Sequence, residues 1–71
     1  MKQVKLGSID NGGLFHFLDD PKSRTYRVVV NRPDNIVWYN VVSRPEDDFW
    51  TTLFNKQHDW LTHDVDVYIE N

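Results

Sequence analysis

His58-Asp59 and His63-Asp64 repeat one dipeptide five residues apart, and they are the most metal-like constellation in this chain. Imidazole and carboxylate ligands at such spacing suit zinc or another divalent ion, and a metal-dependent enzyme is one reading of them. The simpler reading, preferred here, is a set of polar residues in one surface loop with no metal bound. His16 lies between Phe15 and Phe17, and reads as a core or edge histidine with a satisfied hydrogen bond rather than a ligand. Adjacent carboxylates occur at Asp19-Asp20 and Glu46-Asp47-Asp48. General acid-base work needs a carboxyl raised in pKa by an apolar pocket, and turn carboxylates are mostly solvated. Ser8, Ser23 and Ser43 have no Gly-x-Ser-x-Gly elbow around them, and Gly12-Gly13 reads as a turn rather than a phosphate loop. There is no cysteine, so thiol nucleophiles, thiolate zinc sites and disulfides are all excluded. No catalytic residues and no cofactor are expected, and the chain reads as a non-enzyme.

The elements that must position any site are short strands. Arg32-Pro33-Asp34-Asn35 and Arg44-Pro45-Glu46-Asp47 bracket the run Ile36-Val37-Trp38-Tyr39-Asn40-Val41-Val42-Ser43. Proline presets φ at the first central turn position, and Asp or Asn bonds nearby backbone, so the run must reverse at both ends. Further turns fall at 10–13 and 19–23. The resulting spacing is that of an all-β fold. Strands are expected at 3–8, with Val4 and Leu6 inward, at 14–18, at 25–31, with Tyr26, Val28 and Val30 on one face, and at 36–43. A fifth is expected at 49–53 and a last at 65–70, where Val65, Val67 and Ile69 alternate with polar residues. Residues 54–62 have weak β propensity and apolar positions three to four apart, which predicts a short helical turn before the last strand. The fold class is therefore a small barrel or bent antiparallel meander of five to six strands. Residues 1–71 form a single domain.

A chain of 71 residues buries only about 60% of its unfolded surface. Its core must come from large side chains, and ten aromatics supply it. No apolar stretch is long enough to span a membrane, and no signal peptide pattern follows Met1-Lys2. The expected location is cytoplasmic, or the host cytoplasm if the protein is phage-encoded. Residues 1–44 hold seven Lys/Arg against four acids, a net of +3; residues 45–71 hold Lys56 alone against seven acids, a net of −6. An acidic patch meeting a basic partner is one consequence, solvated charges of both signs the other. Arg24, Arg27, Arg32 and Arg44 near aromatic strands would suit nucleic acid, but the overall charge of −3 opposes the counterion-release contribution such binding needs.

The aromatic surplus carries the functional expectation. On the central run both faces are apolar, and a sheet this small buries only one. Some of Trp38, Tyr39, Phe49 and Trp50 should stay exposed, joined by Trp60 and Tyr68. Exposed aromatics rimmed by charge mark protein interfaces. The predicted binding residues are Trp38, Tyr39, Trp50 and Trp60, with Glu46, Asp47 and Asp48 as an acidic rim. The expected partner is a protein, with a homodimer or nucleic acid as alternatives.

The order of elements resembles SH3-like small barrels, and more narrowly short bacterial and phage proteins of that type. The residues that carry the resemblance are Gly13, Phe15-His16-Phe17, Tyr26-Arg27-Val28, Val37-Trp38-Tyr39 and Phe49-Trp50, with Asp19-Asp20-Pro21 standing where the family has a glycine. The resemblance covers residues 13–54 and implies no catalytic residues. Small size, acidity and aromatic richness are also similar to phage-encoded inhibitors of host proteins, which implies an accessory protein that blocks a host factor.

Overall fold

A computed structural model describes residues 1–20, 24–42 and 58–70. Among the described residues six strands follow one another: β1 (Lys2–Lys5), β2 (Leu14–Phe17), β3 (Thr25–Asn31), β4 (Ile36–Val42), β5 (Asp59–Thr62) and β6 (Asp66–Ile69). All pairings are antiparallel, in the order β1-β6-β2-β3-β4-β5. The all-β meander read from the sequence is thus the architecture. The only helical element among the described residues is a 3₁₀ turn at Leu6–Ser8, after β1. Of residues 54–62, where a short helical turn is expected, 54–57 lie outside the described residues and 59–62 form β5. The expected strand at 49–53 and the acids Glu46, Asp47 and Asp48 lie outside the described residues.

The sheet has to curl. In a flat sheet β6 and β5 would stand four spacings apart, about 19 Å. Residues 63–65 are all that join them, and four Cα steps reach at most about 14 Å. The bend is made at β2, whose Leu14 and Phe15 pair with β3 while His16 and Phe17 pair with β6. Chain ends and turns then lock the curl. Leu6 and Gly7 donate their backbone N–H groups to the carbonyls of Val65 and His63, at 2.8 and 3.0 Å. The gap left beside Gly7 admits no side chain, since a Cβ there would lie 2.5 Å from Cβ of His63.

Turn chemistry does what the sequence promised at 32–35. Arg32 N–H donates to the Ile36 carbonyl at 2.8 Å, and Pro33, Asp34 and Asn35 make the loop, with Asn35 at φ 73°. A type I turn closed by a left-handed residue is a favoured three-residue hairpin loop, and asparagine tolerates that conformation. The Asn35 carboxamide oxygen also accepts the His63 N–H at 3.0 Å, tying the β3–β4 turn to the β5–β6 turn.

A bulge in β3 corrects one face assignment. Val28 stands opposite Tyr39 but Val30 opposite Trp38, so Val29 is the extra residue. Beyond a bulge the in-out alternation switches. Val30, expected to share a face with Tyr26 and Val28, therefore turns outward and is 39% exposed. Asn31 instead reaches the 3₁₀ turn. Its Nδ2 donates to the carbonyls of Gly7 and Ile9 at 2.9 and 2.8 Å, and its backbone N–H donates to Oδ1 of Asn11 at 2.7 Å.

The core inside the curl comprises Leu6, Ile9, Phe15, Val28, Val37 and Val67. Against it pack the rings of Phe17, Tyr26 and Tyr39, all within 4.7–5.8 Å of one another and of Phe15 by centroid. His16 is buried on the other face of β2. Its Nδ1 lies 2.9 Å from the Arg24 carbonyl and its Nε2 3.2 Å from Oε1 of Glu70. It is a structural histidine, with two partners rather than the one expected.

Candidate functional site

Trp38 and Trp60 stand directly opposite one another across β4 and β5. Directly opposed side chains have Cβ atoms about 5 Å apart, so the indoles are neighbours. Val30 faces Trp38 from the other side. An apolar stripe Val30-Trp38-Trp60 thus crosses three strands on the outer face of the sheet. Trp60, at 48% exposure, is its most open member. Ile36 and Thr62 pair beside it, and the Thr62 hydroxyl donates to the Asp64 carboxylate. That bond is the main cause holding the exposed Asp64 carboxyl below the usual range. At the turn end Arg32 grips Asp34, Nε to Oδ1 at 3.0 Å and Nη2 to Oδ2 at 2.7 Å.

Of the residues expected to bind, the structure unites Trp38 and Trp60. Tyr39 is one residue further along β4 and so faces inward, into the ring cluster. Trp50, Glu46, Asp47 and Asp48 lie outside the described residues. Val30 was missed because Val28-Val29-Val30 offers no polar residue to fix its alternation, and the bulge leaves no other mark on the sequence. The three arginines of the nucleic-acid reading are scattered: Arg24 is exposed, Arg27 is buried and Arg32 is neutralised by Asp34. His58 and His63 flank β5 at its two ends, about 16 Å of extended chain apart, too far to share an ion. Among the described residues no group of three His, Cys, Asp or Glu could hold a metal.

A second feature lies on the inner side. Where β3 and β5 begin and β4 ends, an open cleft of about 590 Å³ is lined by Arg24, Tyr26, Tyr39, Val41, His58 and Asp59, with Asn40. Tyr39 stands directly opposite Asp59 across β4 and β5. Burial first, then the Asp59 charge, push the Tyr39 phenol above its ordinary 10.0. The sign follows from linkage: with the folded value raised, the unfolded chain ionises first as pH climbs past 10, so stability intact below that point declines above it. Tyr39→Phe should therefore show a shallower alkaline decline in stability than the wild type. Urea midpoints measured between about pH 9 and 11 check this expectation.

No helix among the described residues is long and apolar enough to cross a membrane. Comparison with protein-family models, with curated proteins and with solved structures finds no match to this chain.

Proposed function

We propose that the protein is a non-enzymatic protein-binding module whose contact face is centred on Trp38 and Trp60. The observation that carries this reading is the cross-strand tryptophan pair on the outer face, with Trp38 half-buried and Trp60 exposed, beside the exposed Val30. Large aromatic side chains at the centre of a contact dominate binding energy, and the polar groups around them exclude water. Thr62, Asp64, Arg32 and Asp34 supply such a surround here, and Glu46, Asp47 and Asp48 belong to it in the sequence-based proposal. The SH3-like resemblance is part of the same reading. So is its most concrete version, a phage or mobile-element accessory protein that blocks a host factor in the host cytoplasm.

Trp60→Ala should leave the fold intact, because the side chain is half exposed, and should weaken partner binding by roughly thirtyfold, as a 2 kcal/mol hot spot does. The measurement is titration of a captured partner against wild type and variant, with circular dichroism as the fold control. Retention of every partner at full affinity by both Trp60→Ala and Trp38→Ala would remove the stripe from the function. Sedimentation of the wild type alone separates a homodimer, in which the stripe meets its own copy, from a different partner.

A further inference from the structure

We infer that Asn11–Gly12 is a latent modification site, a pair that cyclises to a succinimide and ages to isoaspartate once the turn holding it opens. The site is independent of the tryptophan stripe. In the reaction the Gly12 backbone nitrogen gives up its proton and attacks Cγ of Asn11. A C–N bond forms, the Cγ–Nδ2 bond breaks, and the amide leaves as ammonia with the proton. Water then opens the five-membered ring at either carbonyl, giving aspartate or isoaspartate. Water is the only co-reactant, and nothing is oxidised or reduced. Glycine admits this chemistry because it has no Cβ to block the approach and its backbone turns freely. Asn11 is the sole asparagine of the chain followed by glycine; Arg32, Ile36, Val41 and Lys56 follow Asn31, Asn35, Asn40 and Asn55.

Asn11 is exposed, so water reaches it. The fold nevertheless engages both reacting groups. The Gly12 N–H is donated to the Val28 carbonyl at 2.7 Å, and Oδ1 of Asn11 accepts the Asn31 backbone N–H at 2.7 Å. Around them, Val28 donates its own N–H to the Gly13 carbonyl and Gly13 donates to the Asp10 carbonyl, each at 2.9 Å. Gly12 sits at φ 88°, a conformation that glycine takes without strain. Val28 is fully buried, so freeing the Gly12 nitrogen strands a carbonyl in the core. An amide nitrogen held as a donor is a poor nucleophile, and a side chain held by Asn31 is kept from swinging onto it. The chemistry therefore waits for local opening of the turn, and its rate follows the open fraction. Isoaspartate, once formed, runs the main chain through an extra methylene and leaves a carboxylate as the branch. The extra atom displaces Gly12 from Val28, so the opening becomes permanent. The reaction also adds one negative charge to a chain of net charge −3.

The test incubates the full chain in mildly alkaline buffer, with and without denaturing urea, followed by intact mass and peptide mapping. In urea Asn11 should convert before every other asparagine. In the folded chain the same conversion should run at least about tenfold slower, which needs an opening free energy of only about 1.4 kcal/mol. Phe15→Ala, which loosens the fold, should bring the rate without urea toward the rate with it. Asn11→Gln, whose longer arm would have to close a larger ring, should stay unchanged at that position over the same time. Equal rates in the folded and denatured chain, another asparagine converting first in urea, or no acceleration in Phe15→Ala would each overturn the assignment.

Discussion

Phe15→Ala is expected to cost about 3–5 kcal/mol, the range for removing a buried phenyl ring. A domain of 71 residues holds about 4–10 kcal/mol in all. The variant should therefore be unfolded in a large fraction of molecules at room temperature, or close to it. The reason lies in where the ring sits. Phe15 is fully buried and contacts Phe17, Tyr26 and Tyr39 at once, stacked on Tyr26 and edge-on to the other two. It also sits at the bend, as the last β2 residue to pair with β3 before His16 turns to β6. Three neighbouring rings cannot all relax into one hole, so the cavity should persist. Urea denaturation followed by circular dichroism gives the loss directly. A cost under about 1 kcal/mol would show that the aromatic cluster is not what holds the curl.

Gly7→Ala is the second large effect, and it acts by crowding rather than by a hole. The added methyl would lie 2.5 Å from Cβ and 2.6 Å from Cγ of His63. Neither can retreat freely. The Gly7 N–H is bonded to the His63 carbonyl, the His63 N–H to Asn35, and the Gly7 carbonyl to Asn31. Overpacking of this kind costs about 1–3 kcal/mol. The double variant Gly7→Ala with His63→Gly should regain part of the loss, because it removes the atoms in the way. If the single variant is as stable as wild type, the contact between the 3₁₀ turn and the β5–β6 turn is looser than described.

Most strands were legible. Residues 25–31 coincide with β3 from end to end, and 36–43 and 65–70 differ from β4 and β6 by one or two residues, because turn residues and alternation mark them clearly. The first expected strand, 3–8, proved to be β1 followed by a 3₁₀ turn, with Leu6 buried inside that turn. Residues 59–62 were misread. Their spacing of apolar groups suited a helix, but Trp60 and Thr62 are good strand residues, and pairing with Trp38 and Ile36 decided the outcome. That one error hid the binding stripe, since Trp38 and Trp60 meet only if both lie on strands. The cleft was hidden for a related reason. Arg24, Tyr39 and His58 were each noted, but for nucleic acid, protein and metal respectively, and only the curl of the sheet brings them to one place.

The pairing of β1 with β6 joins residues nearly the whole chain apart, with Lys2 opposite Ile69. During synthesis the first strand emerges from the ribosome early and has no partner until β6 has been made. The β3–β4 hairpin, by contrast, can form as soon as it is exposed. Sheets dominated by distant pairings fold slowly, in milliseconds to seconds, because the loop must close before the contact repays it. The N-terminal strand, which carries Lys2 and Lys5, thus waits in solution while the rest of the chain is made. Its charge keeps that waiting edge soluble.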